Sequence, residues 1–262
     1  MKSRRDVLMF GISATIGTLA NPGFGQAESA QEILAATDKI RNPGVPFRLT
    51  NTIVEYRGGQ PQNRLGLIVY AKEDKGSGQF RNLVRFVDPP ADAGKLILSS
   101  GAVMWFYDPA AKATVRISPQ QRLIGQASNG DVLTVNLNTD YTAKLAGEEV
   151  IQDASRQEHA CWHLDMTASN ETAIYNRCEM WVEKATNRPI KGKFYSDSNR
   201  LLKVAYYGKY EDHVDGYRAT EAIIIDAVDS GLVTKMSFTD YRAVEIPEAW
   251  FQRDYLPRFK AD

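Results

Sequence analysis

Residues 79–117 read QFRNLVRFVDPPADAGKLILSSGAVMWFYDPAAKATVRI and set the architecture of the chain. Runs rich in β-branched and aromatic residues predict strands at about 79–87, 94–99, 102–107 and 112–117. The turn sequences Asp88-Pro89-Pro90 and Asp108-Pro109 are too short to contain a crossover helix. Neighbouring strands should therefore pair antiparallel, as in a meander.

The same pattern extends in both directions from this stretch. Two strands are predicted before it and seven after it, at about 47–56, 64–72, 141–151, 158–167, 175–183, 190–196, 201–208, 219–227 and 232–239. No linker rich in proline or serine divides the chain. We therefore expect a mainly β (α+β) protein in which residues 28–262 form one large curved sheet or barrel.

Helical segments interrupt or flank these strands. Residues 29–41 have apolar side chains near helical spacing. Residues 118–138, called the insert below, break the strand pattern: Pro119 predicts a short helix and Asp131 predicts the cap of a second one. A short terminal helix is predicted near Glu248–Leu256.

The composition excludes several classes of protein. The 262 residues include 32 basic and 32 acidic side chains, whereas binding to a phosphate backbone requires a basic excess. We expect no nucleic-acid partner. The mature chain has no stretch that reaches the roughly 20 apolar residues of a membrane-spanning helix. These features predict a soluble protein with a conventional core.

The first 27 residues have the features of an export signal. Basic residues precede a mostly apolar run, Val7–Ala20, and small residues at 25–27 suit a cleavage site. Ser3-Arg4-Arg5-Asp6-Val7-Leu8 is close to the twin-arginine pattern, although an ordinary Sec signal stays open. Cleavage would leave 29 basic and 31 acidic side chains, because it removes three basic residues and Asp6. We expect the mature chain to reside in the periplasm.

Signatures of catalysis are missing from the sequence. It contains no G-x-S-x-G elbow, no P-loop, no dinucleotide glycine fingerprint and no H-E-x-x-H motif. The adjacent carboxylates Glu148 and Glu149 should face opposite sides of a strand. We expect neither enzymatic activity nor a cofactor.

The two cysteines, Cys161 and Cys178, lie in consecutive predicted strands, equally far from a polar turn at Ser169-Asn170. In an antiparallel hairpin this symmetry places them opposite each other, and an oxidising compartment favours a disulfide. The alternative is a zinc or copper site that uses His159, Cys161 and His163, which alternate along one strand face, with Cys178 opposite. The spread of roughly 13 Å between strand positions i and i+4 argues against one ion binding all of them.

The strands between residues 65 and 107 are apolar on both faces. A sheet with one face in solvent needs apolar side chains on the other face only. Two interpretations fit this pattern. The helices pack over the strands as ordinary core, or they form a lid over a cleft for an acyl chain, in which each buried methylene contributes about 0.8 kcal/mol.

Short motifs recur in a fixed order along the chain. They are Asn82-Leu83-Val84-Arg85-Phe86 followed by Pro89, Met104-Trp105-Phe106-Tyr107-Asp108-Pro109, Arg116-Ile117, Arg122-Leu123-Ile124-Gly125, Ser128-Asn129-Gly130-Asp131, Asp140-Tyr141, Trp181-Val182, Pro189 and Arg200-Leu201-Leu202-Lys203. In order and spacing the set resembles the outer-membrane lipoprotein-sorting proteins with a LolA/LolB-like fold. The resemblance covers most of residues 30–256 and favours the cleft interpretation.

The resemblance implies an unclosed antiparallel β-barrel in which a few helices form a lid over the concave apolar face. That face would hold lipoprotein acyl chains or another lipid in transit through the periplasm. The implied partners of this monomeric carrier are an inner-membrane transporter of the ABC or RND type and an outer-membrane acceptor. An adaptor of an envelope export complex that binds no lipid is the alternative.

We predict that the insert and the first helix swing away from the strands to admit the cargo. The predicted lining is one face of four adjacent strands: Leu67, Val69, Val84, Phe86, Leu96, Leu98, Met104 and Phe106. A register slip of one residue would exchange this set for its neighbours, because both faces are apolar.

Overall fold

The computed structural model describes residues 29–260. The predicted signal, residues 1–27, lies outside this range and stays a prediction. Among the described residues, no helix combines the length and the apolar character that crossing a bilayer requires.

Helix α1 spans Ala30–Arg41, as predicted. It begins with a capping box: the Ser29 hydroxyl accepts a hydrogen bond from the Glu32 amide at 3.2 Å, and the Glu32 carboxylate accepts one from the Ser29 amide at 2.7 Å. Its side chains Ile33 and Leu34 are fully buried. The helix therefore packs against the sheet through one apolar side.

The thirteen strands predicted from the sequence are confirmed, and two short strands occur in the insert. The strands are β1 Phe47–Arg57, β2 Gln60–Glu73, β3 Phe80–Asp88, β4 Leu96–Ser100, β5 Val103–Asp108, β6 Ala113–Ile117, β7 Arg122–Ile124, β8 Ala127–Ser128, β9 Tyr141–Gln152, β10 Glu158–Ala168, β11 Arg177–Glu183, β12 Pro189–Tyr195, β13 Leu201–His213, β14 Gly216–Asp226 and β15 Leu232–Ala243.

One antiparallel sheet contains all strands except β7 and β8. Its order is β6-β5-β4-β3-β2-β1-β15-β14-β13-β12-β11-β10-β9. Pairing of β1 with β15, for example Ile53 opposite Met236, joins the first and the last strand in the middle of the sheet. The edge strands β6 and β9 do not pair with each other. The predicted unclosed β-barrel is thereby confirmed.

The inner face of this sheet carries two apolar clusters. The first lies on β1–β5 and β13–β15 and includes Phe47, Val84 and Met236. The second lies on β9–β11 and packs against Ile33 and Leu34 of α1. The insert covers the first cluster through Ala127 and Val132, among others.

The C-terminal segment covers the outer face of β2–β5. Its two 3-10 helices, Glu248–Phe251 and Arg253–Arg258, bury Phe251 and Leu256 against Leu98 and neighbouring outer residues. This cover explains why those strands are apolar on both faces. The predicted terminal helix is therefore two 3-10 helices, and they do not belong to a lid over the inner face.

The insert is less helical than predicted. No helix begins at Pro119; strands β7 and β8 form a small hairpin instead. Asp131 lies inside a 3-10 helix, Asn129–Val132, and caps it by accepting from the Ser128 amide at 2.7 Å. The helix that follows, α2, is confined to Leu137–Asp140.

The predicted pairing of Cys161 with Cys178 is wrong, and both thiols are free. Cys161 lies opposite Glu183, and Cys178 lies opposite Met166. Positions 161 and 166 differ by an odd number, so the two side chains point to opposite faces of the sheet, about 17 Å apart along the strand at 3.3 Å per residue. A disulfide between them is excluded by this geometry.

The register differs because the loop between β10 and β11 is longer than its sequence suggests. Tyr175 was expected to begin the second strand, but it lies in the loop with Ile174, and both are buried there. The start of the loop is held by Ser169, whose amide donates to the Asp140 carbonyl at 2.8 Å. The turn is therefore centred nearer to Thr172 than to Ser169-Asn170.

Candidate functional site

A cavity of about 180 Å³ lies on the inner face, between the sheet and its cover. The sheet side is formed by β1 and β9–β15, and the cover side by the end of α1 and residues 130–137. A cavity of roughly 150 Å³ in a protein holds a benzene-sized molecule. The covered cavity therefore has room for a small group, and a whole acyl chain requires movement of the cover.

The wall of this cavity joins the two apolar clusters of the inner face. Phe47, Leu49 and Ile224 come from the first cluster, and Leu137 and Ile174 from the second. Three methionines also line the cavity: Met166, Met180 and Met236. Because the unbranched thioether side chain adapts to irregular shapes, this wall can pack against apolar groups of different outline.

An ion pair ties the insert to the sheet at one side of the cavity. Lys203 of β13 contacts Asp131 of the insert, and only 6% of the Lys203 side chain and 11% of the Asp131 side chain are exposed. The Lys203 ammonium also donates to the Gln126 carbonyl at 3.2 Å. The Tyr175 hydroxyl donates to Asp131 at 2.9 Å. Burial, followed by the nearby Asp131 charge, holds the pKa of Tyr175 well above its ordinary value, so the hydroxyl stays a donor.

Two side-chain amides hold the far end of the insert. Asn82 pairs with both backbone groups of Thr134, at 2.8 and 2.9 Å, and Gln79 pairs in the same way with Asn136, at 2.7 and 3.1 Å. Each amide thus substitutes for a neighbouring strand. These contacts satisfy backbone groups that would otherwise be buried without partners.

The insert approaches the β10–β11 loop closely at Gly130. A Cβ atom at this position would lie 2.6 Å from the Cγ2 atom of Ile174, which is too close for any real contact. A larger residue at position 130 would therefore displace the Ile174 side chain where the insert meets the loop.

One polar side chain in the wall has no partner. Asn51 of β1 is 1% exposed and lines the cavity, and within residues 29–260 neither its Nδ2 nor its Oδ1 atom has a hydrogen-bond partner. Its register neighbours are Leu67 and Phe238, which offer none. A buried polar group without a partner costs about 1–3 kcal/mol, which makes this position unusual.

The structure brings together six of the eight residues predicted to line the cleft. Leu67, Val69, Val84, Phe86 and Met104 belong to the first inner cluster, and Phe106 packs against it. They lie beside the cavity, on the sheet region that the insert covers. Of these six, Phe86 and Phe106 line a second, more open groove of about 750 Å³ beside residues 121–125.

Leu96 and Leu98 are on the other face. Ile97, not its neighbours, is opposite Val84 and belongs to the inner cluster, whereas Leu96 and Leu98 pack in the outer cluster beneath the C-terminal segment. The register of the β3–β4 turn decides this, and both faces are apolar, so the sequence pattern offers no sign of it.

The alternative metal site is not assembled. His159, Cys161 and His163 alternate along β10 and share the outer face, but Cys178 lies on the inner face. The His159 ring is held by Glu183 at 2.8 Å and Asp153 at 3.2 Å. Within the described part of the chain, no group of three or more His, Cys, Asp or Glu side chains is arranged to hold a metal ion.

Several cavity residues were missed although the sequence contains a signal for them. Phe47, Leu49 and Asn51 line the cavity, and together with Ile53 they are buried at alternate positions of β1, which identifies its inner face. Asn51 is the polar exception in that row. The signal in the sequence is a polar residue at a position where the alternation of the strand predicts an apolar one.

Comparisons with known proteins place this geometry in context. A family model described as "-like: Uncharacterized protein" matches residues 78–258. No curated protein matches the chain. A solved LolA superfamily protein from Nitrosomonas europaea is 29% identical, with a TM-score of 0.77, over 87% of this chain and 100% of that protein.

Two further solved structures share the fold. A DUF1329 family protein from Desulfovibrio piger is 22% identical, with a TM-score of 0.73, over 87% of this chain and 97% of its own. A domain assigned as an outer membrane lipoprotein-sorting protein, from Vibrio parahaemolyticus, is 20% identical, with a TM-score of 0.71, over 87% of this chain and 98% of its own. The likeness extends over nearly the whole length of each.

Proposed function

We propose that this chain, which belongs to the outer-membrane lipoprotein-sorting proteins with a LolA/LolB-like fold, carries the acyl chains of a lipoprotein or another lipid beneath its insert. The observation that supports this most directly is the apolar cavity at the junction of the two inner clusters. It is enclosed by a separate segment, the insert, whose underside is apolar and whose ends are held by polar contacts.

The small size of the covered cavity fits a carrier that exchanges one set of apolar contacts for another. The cargo must displace contacts that the insert itself makes, through residues such as Val132 and Leu133. Each buried methylene of the cargo contributes about 0.8 kcal/mol, but only the excess over the lost lid contacts appears as affinity. Moderate affinity is what hand-over from one membrane to the other requires.

The proposal places the protein in the periplasm. The export signal proposed for residues 1–27 would deliver it there, and a monomeric carrier would receive cargo at an inner-membrane transporter of the ABC or RND type and release it to an outer-membrane acceptor. The carrier itself would perform no bond-breaking chemistry.

Lipid extraction tests this proposal. The protein is isolated from the cell envelope without detergent, extracted with organic solvent and analysed by mass spectrometry; a second sample is first stripped and then incubated with phospholipid vesicles. We expect acyl species near one molecule per protein in both samples. Protein that stays free of lipid in both would contradict a carrier function.

A matched control separates the cavity from adsorption to the surface. The same protein unfolded in urea and extracted in parallel measures lipid that sticks without a site. Cargo held in the cavity should be recovered from folded protein only.

A further inference from the structure

Asn51 points to the chemistry of the cargo. The side chain is buried in the cavity wall, has no partner among the described residues and lies between Leu67 and Phe238 in the sheet. Lys203, Asp131 and Tyr175 line the same cavity, but they satisfy one another. Buried polar groups in proteins are almost always hydrogen-bonded, so an exception in a ligand cavity calls for a partner in the ligand.

We propose that the cargo has a polar group in which a hydrogen-bond donor lies beside an acceptor, as in a carboxamide, and that this group pairs with Asn51. This inference rests on the proposed carrier function and specifies the class of lipid.

The chemistry of the asparagine side chain defines that group. Its Oδ1 atom only accepts and its Nδ2 atom only donates, and both lie at the end of one planar amide. An ester or a ketone in the cargo accepts from Nδ2 and leaves Oδ1 without a donor. A hydrocarbon leaves both atoms unpaired, whereas a carboxamide satisfies both.

The position of Asn51 suits recognition of a group within an otherwise apolar ligand. Leu49, Met236 and Phe238 line the same wall, and the Asn51 side chain is almost fully buried, so the pair would form out of contact with water. A site that is built to hydrogen-bond a ligand group discriminates strongly against the analogue that lacks it, because its own polar atoms are then left unpaired.

Two ligands of equal size test the inference. Palmitamide and 2-heptadecanone have the same chain and the same carbonyl group, and they differ only in an NH₂ group against a CH₃ group. We expect the wild-type protein, stripped of lipid, to bind palmitamide about tenfold more tightly, which corresponds to one buried acceptor left unpaired in the ketone complex. Displacement of a fluorescent fatty acid measures both affinities.

The Asn51→Leu variant supplies the matched control, because leucine has nearly the same shape and no polar atoms. We expect it to fold with a higher melting temperature than the wild type, since a buried polar group without a partner is removed. Its preference should invert, so that 2-heptadecanone binds more tightly than palmitamide.

The outcomes separate the two proposals. Equal binding of both ligands by the wild type, or the same preference in Asn51→Leu as in the wild type, overturns the pairing at Asn51 and leaves the carrier function standing. Failure of the wild type to bind either ligand overturns the carrier function and this inference with it.

Discussion

Lys203 of the sheet and Asp131 of the insert form an ion pair that is almost entirely buried. Lys203 also donates to the Gln126 carbonyl, so one side chain fixes two points of the insert. Asp131 in turn caps its own 3-10 helix through the Ser128 amide. The ion pair therefore fixes both the conformation of the insert around Asp131 and the attachment of the insert to the sheet.

Replacing Lys203 by methionine should destabilise the protein and loosen the insert. It leaves Asp131 buried without its counter-charge, and the loss of one partner from a buried ion pair typically costs about 3–5 kcal/mol. Urea unfolding measures the free energy of unfolding, and hydrogen exchange at the amides of residues 126–134 measures opening of the cover.

Two variants control this experiment. Lys203→Met combined with Asp131→Asn removes the unpaired charge and should recover about 1–3 kcal/mol. Arg64→Met removes an exposed pair with Asp88 and should cost less than about 1 kcal/mol. A double variant as unstable as the single one would show that the charge on Asp131 is not the cause.

The strand pattern of this protein can be predicted from its sequence because each strand is marked locally. Alternating side chains and turn residues such as Asp88-Pro89-Pro90 and Gly58-Gly59 act within a few residues of one another. The unclosed sheet follows from hairpins too short for crossovers. The pairing of β1 with β15 in the middle of the sheet is long-range, and no local pattern records it.

The site is less predictable because it depends on register and on loops. Leu96 and Ile97 are equally apolar, and only the β3–β4 turn decides which of them faces inward. Tyr175 is predicted to start a strand, yet it and Ile174 form part of the cavity wall from within a loop. The amides of Asn82 and Gln79 hold the insert through contacts more than 50 residues away along the chain.

The two cysteines should be free in the folded protein. Cys161 lies in the outer cluster and Cys178 in the inner one. Burial raises the pKa of each thiol to about 12, so both stay protonated at neutral pH and react slowly. Intact mass under non-reducing conditions should correspond to two thiols, and iodoacetamide should label both only after unfolding.

A mass lower by two hydrogens would contradict this arrangement. It would require β10 and β11 to shift by an odd number of residues, which would bring Cys161 to the face of Cys178. Because both thiols are free, a reducing agent should leave the urea midpoint of unfolding unchanged.

The His159 ring gives the protein a pH-dependent stability. Burial disfavours the charged ring, but the hydrogen bonds to Glu183 and Asp153 outweigh it and raise the pKa of His159 above its usual value. Stabilisation by the charged ring is thus fully present below about pH 6.5, the pKa of an unfolded histidine, and is lost as the pH rises through the folded value. The pKa values of Asp153 and Glu183 are lowered in spite of burial, since both accept hydrogen bonds, so their contribution is lost only when acid protonates them.

Urea midpoints of the wild type and of His159→Gln between pH 5 and pH 9 check this prediction. The difference between the two proteins should be largest near pH 5.5–6.5 and should decrease towards pH 9. A difference that does not change with pH would mean that the ring stabilises the strands by contact alone.

Filling the cavity should remove cargo without unfolding the protein. Ala222 of β14 is 4% exposed and lines the cavity, so leucine at this position extends into the space that an acyl chain would use. Displacement of about two cargo methylenes, at about 0.8 kcal/mol each, predicts a loss of affinity of roughly tenfold. Ala160 of β10 is exposed and does not line the cavity, so it offers the same substitution outside the site, and Ala160→Leu should bind lipid as the wild type does. Lipid content by mass spectrometry and fatty-acid titration measure both variants.

Equal loss of lipid in the two variants would show that lipid adheres to the surface. Full retention of lipid by Ala222→Leu would locate the cargo outside this cavity, for instance in the open groove beside Phe86 and Phe106.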